Sequence, residues 1–291
     1  AEFEPERVAR FARRNAEPSS HCKHEPLPPE VIQALILKKL REDASLKIGT
    51  AKKAVIAVPA WFDEPRRKAT EDAARLAGLE VLEILNESTA AAISFGAQQN
   101  LTRSAGRASK KETALVFDLG GGTLDVTLME IDGQSFTALA TGGDIYLGGS
   151  DWTERLVDLV AARFLDEFDI DPRDDESSMQ GLIAEAESAK RALSARTEVT
   201  LMHSHEGARL RTTITRDEFE ELTADLRDRT LFTVNKVLRE ARVSWRGVTK
   251  LLLVGGASRM PAVRKALEAE SGLPIDSALS AEEAIAHGAA I

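Results

Sequence analysis

The sequence has a single cysteine, Cys22, so no disulfide can form within the chain, and a reducing compartment, the cytoplasm, is the expected setting. It lacks any apolar run of about eighteen residues, roughly the length a helix needs to span a bilayer. Its start, Ala1-Glu2-Phe3-Glu4-Pro5, lacks the basic stretch followed by an apolar one that marks a secretory signal. It also lacks a basic excess. With 38 Lys and Arg against 47 Asp and Glu, the formal net charge is −9, which speaks against a duplex nucleic-acid partner. An acidic chain can still hold a nucleotide, because a few backbone N–H groups and local cations suffice for a phosphate. No short repeat and no low-complexity tract is found. His21, Cys22 and His24 cluster, but their spacing matches no usual zinc pattern and no second ligand pair stands out, so they read as an exposed loop.

What is present is an ordinary globular balance: 291 residues, 43% apolar and 29% charged, enough for one large domain or two lobes. Residues 15–29 are rich in Pro, Ser and His and read as loop. Pro29 opens a helix with Ile32, Leu35, Ile36 and Leu40 on one face. A strand at 54–58 stops at Pro59, a helix over 64–77 closes at Gly78, and 81–85 reads as a second buried strand. An Ala-rich helix over 87–98 leads to a polar boundary at 100–112. A strand at 114–117, a returning strand at 124–131 and a third at 136–140 form a meander. Helices are expected at 151–168 and 176–195, then a hairpin at 197–202 and 209–214. Thr215 and Glu218 suggest a capping box for one long helix ending near Ala241. A strand at 250–254, a helix from Pro261 and a last helix capped by Ser280 and Glu283 complete the chain. Strands alternate with helices in both halves, so the class is α/β with two lobes. The strands at 54–58 and 81–85 should share one sheet, and those at 114–117 and 250–254 another.

Four segments carry candidate chemistry. In Val116-Phe117-Asp118-Leu119-Gly120-Gly121-Gly122-Thr123-Leu124-Asp125-Val126, three glycines let backbone N–H groups approach an anion, and Thr123 adds a hydroxyl. Asp118 and Asp125 flank that turn, and carboxylates beside a phosphate imply an intervening Mg²⁺ with ordered water. The bland alternative is a flexible hairpin turn. In the second segment a strand ends in Gly255-Gly256 and a helix begins at Pro261, a geometry for an anion or a nucleoside, with Arg259 able to stack on a base; an ordinary strand-to-helix turn is the alternative. The third, Glu187, Lys190, Arg191 and Ser194, shares one helix face, which taken alone reads as a solvated face with an i,i+4 ion pair. In the fourth, Glu87 opens the Ala-rich helix, where an acid is favoured in any case; a role on metal-bound water is the sharper reading.

Together the four resemble the nucleotide-binding (ATPase) domain of the 70-kDa heat-shock chaperone family (heat shock protein 70), within the actin-like ATPase superfamily. Ala57-Val58-Pro59-Ala60-Trp61-Phe62, Arg66–Thr70, Leu147–Asp151, Ala189–Ser194 and Glu283–Ala290 are similar to that family's segments in order. The resemblance implies an actin-like (ribonuclease H-like) two-lobed α/β fold that binds ATP or ADP with Mg²⁺ and hydrolyses ATP slowly. It implies that Gly120, Gly121, Gly122 and Thr123 hold phosphates, and that Asp118, Asp125 and Glu87 act through Mg²⁺-bound waters and the attacking water. It implies that Glu187, Lys190, Arg191, Ser194, Gly255, Gly256, Ser258, Arg259 and Glu282 hold adenosine. Co-chaperones, nucleotide-exchange factors and a peptide-binding domain are the implied partners, with no nucleic acid and no membrane. The implied divisions are 1–106 as the rest of lobe I, 107–149 with 227–291 as the base of lobe II, and 150–226 as its upper part.

The sequence also departs from the pattern. No acidic-glycine-threonine phosphate loop is found, so lobe I is expected to be incomplete at its N-terminus and activity slight. Arg13 stands where the family's catalytic lysine is expected. Ser88 replaces the usual proline and Glu282 the usual aspartate. A nucleotide-binding regulator with little turnover is therefore an alternative. Another actin-like protein, a sugar kinase or a filament protein, is a third, against which the 190–194 pattern speaks.

Overall fold

The computed structural model describes residues 20–22, 25–102, 111–132, 135–275 and 280–291. Arg13, His24 and residues 103–110 of the expected boundary at 100–112 lie outside them, as do the side chains of His21 and Cys22. A short antiparallel pair, β1 (Ser20–Cys22) and β2 (Glu25–Leu27), precedes α1 (Pro29–Ile48), which starts at a proline whose fixed φ suits a first helical turn. β3 (Lys53–Val58) ends at Pro59. Asp63 then caps α2 (Glu64–Leu76) by accepting the Arg66 N–H at 3.2 Å, and Gly78, at φ +76°, turns the chain out of it. β4 (Glu80–Asn86) pairs parallel with β3, and α3 (Glu87–Thr102) follows at once.

The meander forms as expected, with β5 (Glu112–Leu119), β6 (Leu124–Asp132) and β7 (Ser135–Asp144), the last running four residues further than its apolar stretch suggests. α4 (Gly149–Phe168) and α5 (Glu176–Ala195) lead to the hairpin of β8 (Glu198–His205) and β9 (Ala208–Thr215). Next come α6 (Arg216–Leu222), α7 (Ala224–Glu240), β10 (Lys250–Val254), α8 (Pro261–Ser271) and α9 (Ala284–Ala290). β10 joins β5 in parallel, giving the sheet order β10-β5-β6-β7. The pair β3–β4 forms a separate sheet, so the two expected strand pairings are both present and lie in two sheets.

Within the four-stranded sheet β5, β6 and β10 are buried on both faces, which is why β5 and β10 read as near-continuous apolar runs, whereas β7 has no buried residue. Leu115, Phe117, Leu251 and Leu253 point to one side, into a core with Trp152 and Leu156 of α4 and Val234 and Val237 of α7. Ala114, Val116, Leu252 and Val254 point to the other, against Ala91, Ala92 and Phe95 of α3 and Ala284 of α9. Each such fully buried Leu, Val or Phe contributes about 1.5–3 kcal/mol. The small residues of α3 serve a close helix crossing: a Cβ on Gly288 of α9 would collide with the Ala90 carbonyl. Among the described residues no helix is long and apolar enough to cross a membrane.

Four expectations need correction. Residues 15–29 are not all loop, since 20–22 and 25–27 pair as β1 and β2. β4 is not a buried strand: none of its residues is buried, and Leu82, which the register passes over between Val81 and Glu83, is 58% exposed. The long helix after Thr215 is two helices, broken at Thr223 (φ −114°, ψ 17°). Thr215 does cap α6, accepting the Glu218 N–H at 3.2 Å, but the Glu218 carboxylate is drawn into an ion pair with Arg163. The last helix is entered through the Ser280 carbonyl, which accepts from Glu283 and Ala284, with no side-chain cap. The apolar face of α1 is formed as read, yet Leu35, Ile36 and Leu40 are each more than half exposed, and Ile36 and Leu40 border a cavity.

Candidate functional site

The β5–β6 hairpin sets the Asp118–Asp125 spacing. The two residues are register partners across the ladder, and the turn of Gly120, Gly121 and Gly122 with Thr123 protrudes beyond them. Gly120 closes the turn by donating its N–H to the Thr123 carbonyl at 3.0 Å. Above the turn, Gly148 and Gly149 bring the N-terminus of α4 into backbone contact. Gly149 N–H donates to the Gly120 carbonyl at 2.9 Å, and Ser150 N–H to that of Gly121 at 2.8 Å. Asp151 steadies this entry by accepting the Gly148 N–H at 2.6 Å.

Asp118 and Asp125 are buried, and Glu87 stands at the start of α3 on the same cavity as Asp118. Burial pushes the Asp118 carboxyl up to about 8, with the charges of Glu87 and Asp125 adding to it. Burial and Glu87 push Asp125 up to about 7, partly offset by the Trp61 indole N–H that faces it. That contact falls short of a well-formed hydrogen bond, since Trp61 Nε1 and Asp125 Oδ1 are both buried and without a hydrogen-bond partner. Two buried acids pushed up by burial and by the charge of Glu87, together with an orphaned carboxylate oxygen, fit a cation site. Among the described residues no three acidic, His or Cys side chains are close enough to grip an ion directly, so Mg²⁺ would be held through water.

Two cavities meet at this turn. One, of about 550 Å³, is lined by Gly120–Thr123, Asp118, Glu87 and Trp61, with apolar walls from α1 and β3. The other, of about 540 Å³, lies between α5 and the turn after β10 and is lined by Glu187, Lys190, Arg191, Ser194, Gly256, Arg259 and Glu282. Gly121 borders both. The two distant segments expected to share a ligand therefore face one space.

The members of this wall are not equivalent. Arg191 is exposed and pairs with Glu187 at 2.9 Å, while Arg259 lies 3.8 Å from Glu282, both half-exposed. The Glu187 carboxyl is held below its ordinary value: burial acts to raise it, and the donors Lys190, Thr153 and Arg191 together outweigh that. Lys190 is buried, which lowers its pKa against the pull of Glu187. Gly255 and Ser258 are outside the lining. Ser258 is fully buried and donates to the Gly255 carbonyl at 2.7 Å. Gly255, at φ +80°, has no room for a side chain, since a Cβ would lie 2.6 Å from Asp118 Oδ1. Both shape the turn from behind. Gly149, Thr153 and Trp61 are not singled out by the sequence for the site. The Gly148-Gly149 pair is a visible signal, whereas Trp61 and Thr153 carry none without the fold.

The Hsp70 protein family model matches residues 5–291. The chain is 39% identical over 98% of its length to "Heat shock 70 kDa protein 6, chloroplastic" of Arabidopsis thaliana, covering 39% of that protein. It is 40% identical over 90% of its length to a ribosome-associated molecular chaperone of Eremothecium gossypii, covering 43% of it. It is 40% identical over 91% of its length to "Chaperone protein DnaK" of Deinococcus deserti, covering 42% of it. It thus spans about two-fifths of the length of these relatives. By a family match over nearly all of its residues, and by the α/β architecture of the actin-like ATPase fold, the chain belongs to the Hsp70 family.

Proposed function

We propose that this chain is the ATP-binding and ATP-hydrolysing part of an Hsp70-type chaperone. The observation that carries the reading is the pair of cavities joined at Gly121, one combining the glycine turn, Asp118 and Glu87 with apolar walls, the other lined by Glu187, Arg191, Ser194, Gly256, Arg259 and Glu282. Adenosine lies between Arg191 and Ser194 of α5 and Gly256, Arg259 and Glu282 beyond β10. The phosphates rest on Gly120, Gly121, Gly122 and Thr123, where the backbone approaches without side chains. Bound Mg²⁺ supplies charge neutralisation at the phosphates. Asp118, Asp125 and Glu87 would hold the ion through water and would orient the attacking water. Arg13 is the further catalytic candidate, by its place in the sequence pattern.

The division into 1–106, 107–149 with 227–291, and 150–226 is part of this reading, supported by three separate sheets, β3–β4, β10-β5-β6-β7 and β8–β9. Nucleotide-driven change in the angle between lobes would signal to a peptide-binding domain, and co-chaperones and exchange factors would act on it. A reducing, cytoplasmic setting fits the single cysteine. Arg13, where the family pattern has lysine, also favours a second reading, a nucleotide-binding regulator with little turnover. Single-turnover hydrolysis of MgATP separates the two: a burst of product lost in Thr123→Val supports the ATPase, and tight binding without product supports the regulator.

A further inference from the structure

Away from the nucleotide cleft, α5 and β8 bring a serine, a histidine and a carboxylate together in a defined order. His203 of β8 is 3% exposed and uses both ring nitrogens. Its Nδ1 lies 2.8 Å from Glu185 Oε2, and its Nε2 lies 3.0 Å from Ser178 Oγ. A carboxylate offers only lone pairs, so in the neutral ring Nδ1 carries the hydrogen and Nε2 the lone pair. The Ser178 hydroxyl is then the donor, with a base at its proton. The rings of His203 and Phe164 of α4 meet edge to face, their centroids 5.9 Å apart, which further fixes the imidazole.

The serine is held as firmly as the base. Asp175 caps α5 by accepting the Ser178 N–H at 2.7 Å, fixing the backbone that carries the hydroxyl. Ser178 is half-buried rather than closed in, and Gly181, one turn further along α5, is exposed. A Cβ built on Gly181 would touch the His203 ring at 3.9 Å without a clash, so the glycine leaves the ring edge beside the serine uncovered. A glycine costs a helix interior about 1 kcal/mol relative to alanine, and a ring buried only to pack has no use for that opening. The groove of about 460 Å³ between α5 and β8 runs from Ala184 to Ala192, beyond Glu185 from the serine, so it encloses nothing at Ser178 and the site suits a small acyl group.

We propose that Ser178 is a nucleophilic serine, with His203 as its base and Glu185 orienting that base, and that it takes acyl groups from small activated esters. Ser178 Oγ bonds to the acyl carbon while its proton passes to His203 Nε2. The bond to the leaving oxygen breaks, that oxygen departs with the electron pair, and Nε2 passes the proton to it or to solvent. Water, giving its proton to the same nitrogen, then releases the acid from Ser178. The nucleotide reading is not needed for this.

The test is release of p-nitrophenolate from p-nitrophenyl acetate by the 291-residue chain, with acid quenching and peptide mapping for acetylated serine. Release above background should be lost in Ser178→Ala and kept in Ser177→Ala, the exposed neighbour that faces no base. The part of the rate that depends on Ser178 should fall at least about tenfold in His203→Gln and in Glu185→Gln, since a positioned general base is worth roughly 10²–10⁴-fold. Any acetyl trapped on the helix should sit on Ser178. Parent-like release by Ser178→Ala overturns the proposal, and so does a rate left unchanged in both His203→Gln and Glu185→Gln. If His203→Gln does not fold by thermal melting, Glu185→Gln, whose side chain is partly exposed, decides.

Discussion

Gly148 lies directly against Gly122: a Cβ built on it would sit 2.5 Å from the Gly122 nitrogen. The backbone at Gly148 is extended (φ −156°), a conformation open to any residue, so glycine is required there by the approach of the phosphate turn and not by strain. Gly121, by contrast, has open space where a Cβ would go. Gly148→Ala should therefore destabilise the ligand-free protein by about 1–3 kcal/mol through overpacking, seen as a lower Tm. Gly121→Ala should leave Tm within about 2 °C, since surface changes usually stay within about 0.5 kcal/mol. It should weaken MgADP at least about tenfold, because the methyl takes the space the phosphate needs. Equal effects of the two on Tm would contradict the assignment.

The buried acids predict a pH dependence of stability. A carboxyl held at about 8 in the folded chain keeps a proton that the unfolded chain releases near 3.8. The folded state then binds more protons between those values, so stability falls as pH rises through that window. Asp118→Asn cannot ionise, so its Tm should fall less from about pH 5 to about pH 8 than the parent's, while MgADP binding weakens. A steeper fall in the variant would show that Asp118 is not the group responsible.

Arg259 is half-exposed, and its contact with Glu282 at 3.8 Å is a surface pair of small worth. Its substitution should spare the fold and loosen the base. Arg259→Ala is expected to keep Tm unchanged and to weaken adenosine and MgADP alike by about three- to tenfold, the scale of a cation–π stack. A loss confined to MgADP would place Arg259 at the phosphates instead.

Gly288 tests the crossing of α3 and α9. A methyl there meets the Ala90 carbonyl, and backbone cannot swing aside as a side chain can. Gly288→Ala should lower Tm by more than Gly148→Ala, because two helices and the sheet they cover must separate. An unchanged Tm would show that this contact is looser than the packing implies.

Much of the fold and site is legible in the sequence for a physical reason. The β5–β6 hairpin carries its glycine turn and both flanking aspartates in one contiguous segment, and the unbroken apolar runs of β5 and β10 report burial on both faces of a sheet. What cannot be read is relation between segments. Nothing in the sequence says that Lys190 gives its hydrogens to Gly149 and Thr153, or that Trp61 faces Asp125, because those contacts span dozens of residues and depend on the fold. The break at Thr223 is hidden because residues on both sides are good helix formers. The exposure of Leu82 is hidden because an apolar strand carries no sign of whether a neighbour covers it.

If one adenine nucleotide spans the two cavities that meet at Gly121, residues at both ends must contribute to its affinity. Calorimetric titration of MgATP into the 291-residue chain tests it most directly, with Asp118→Asn and Thr123→Val at one end and Arg259→Ala at the other. One site per chain is expected, with affinity reduced by substitution at either end. Binding that ignores the substitutions at one end would contradict a single nucleotide spanning both cavities.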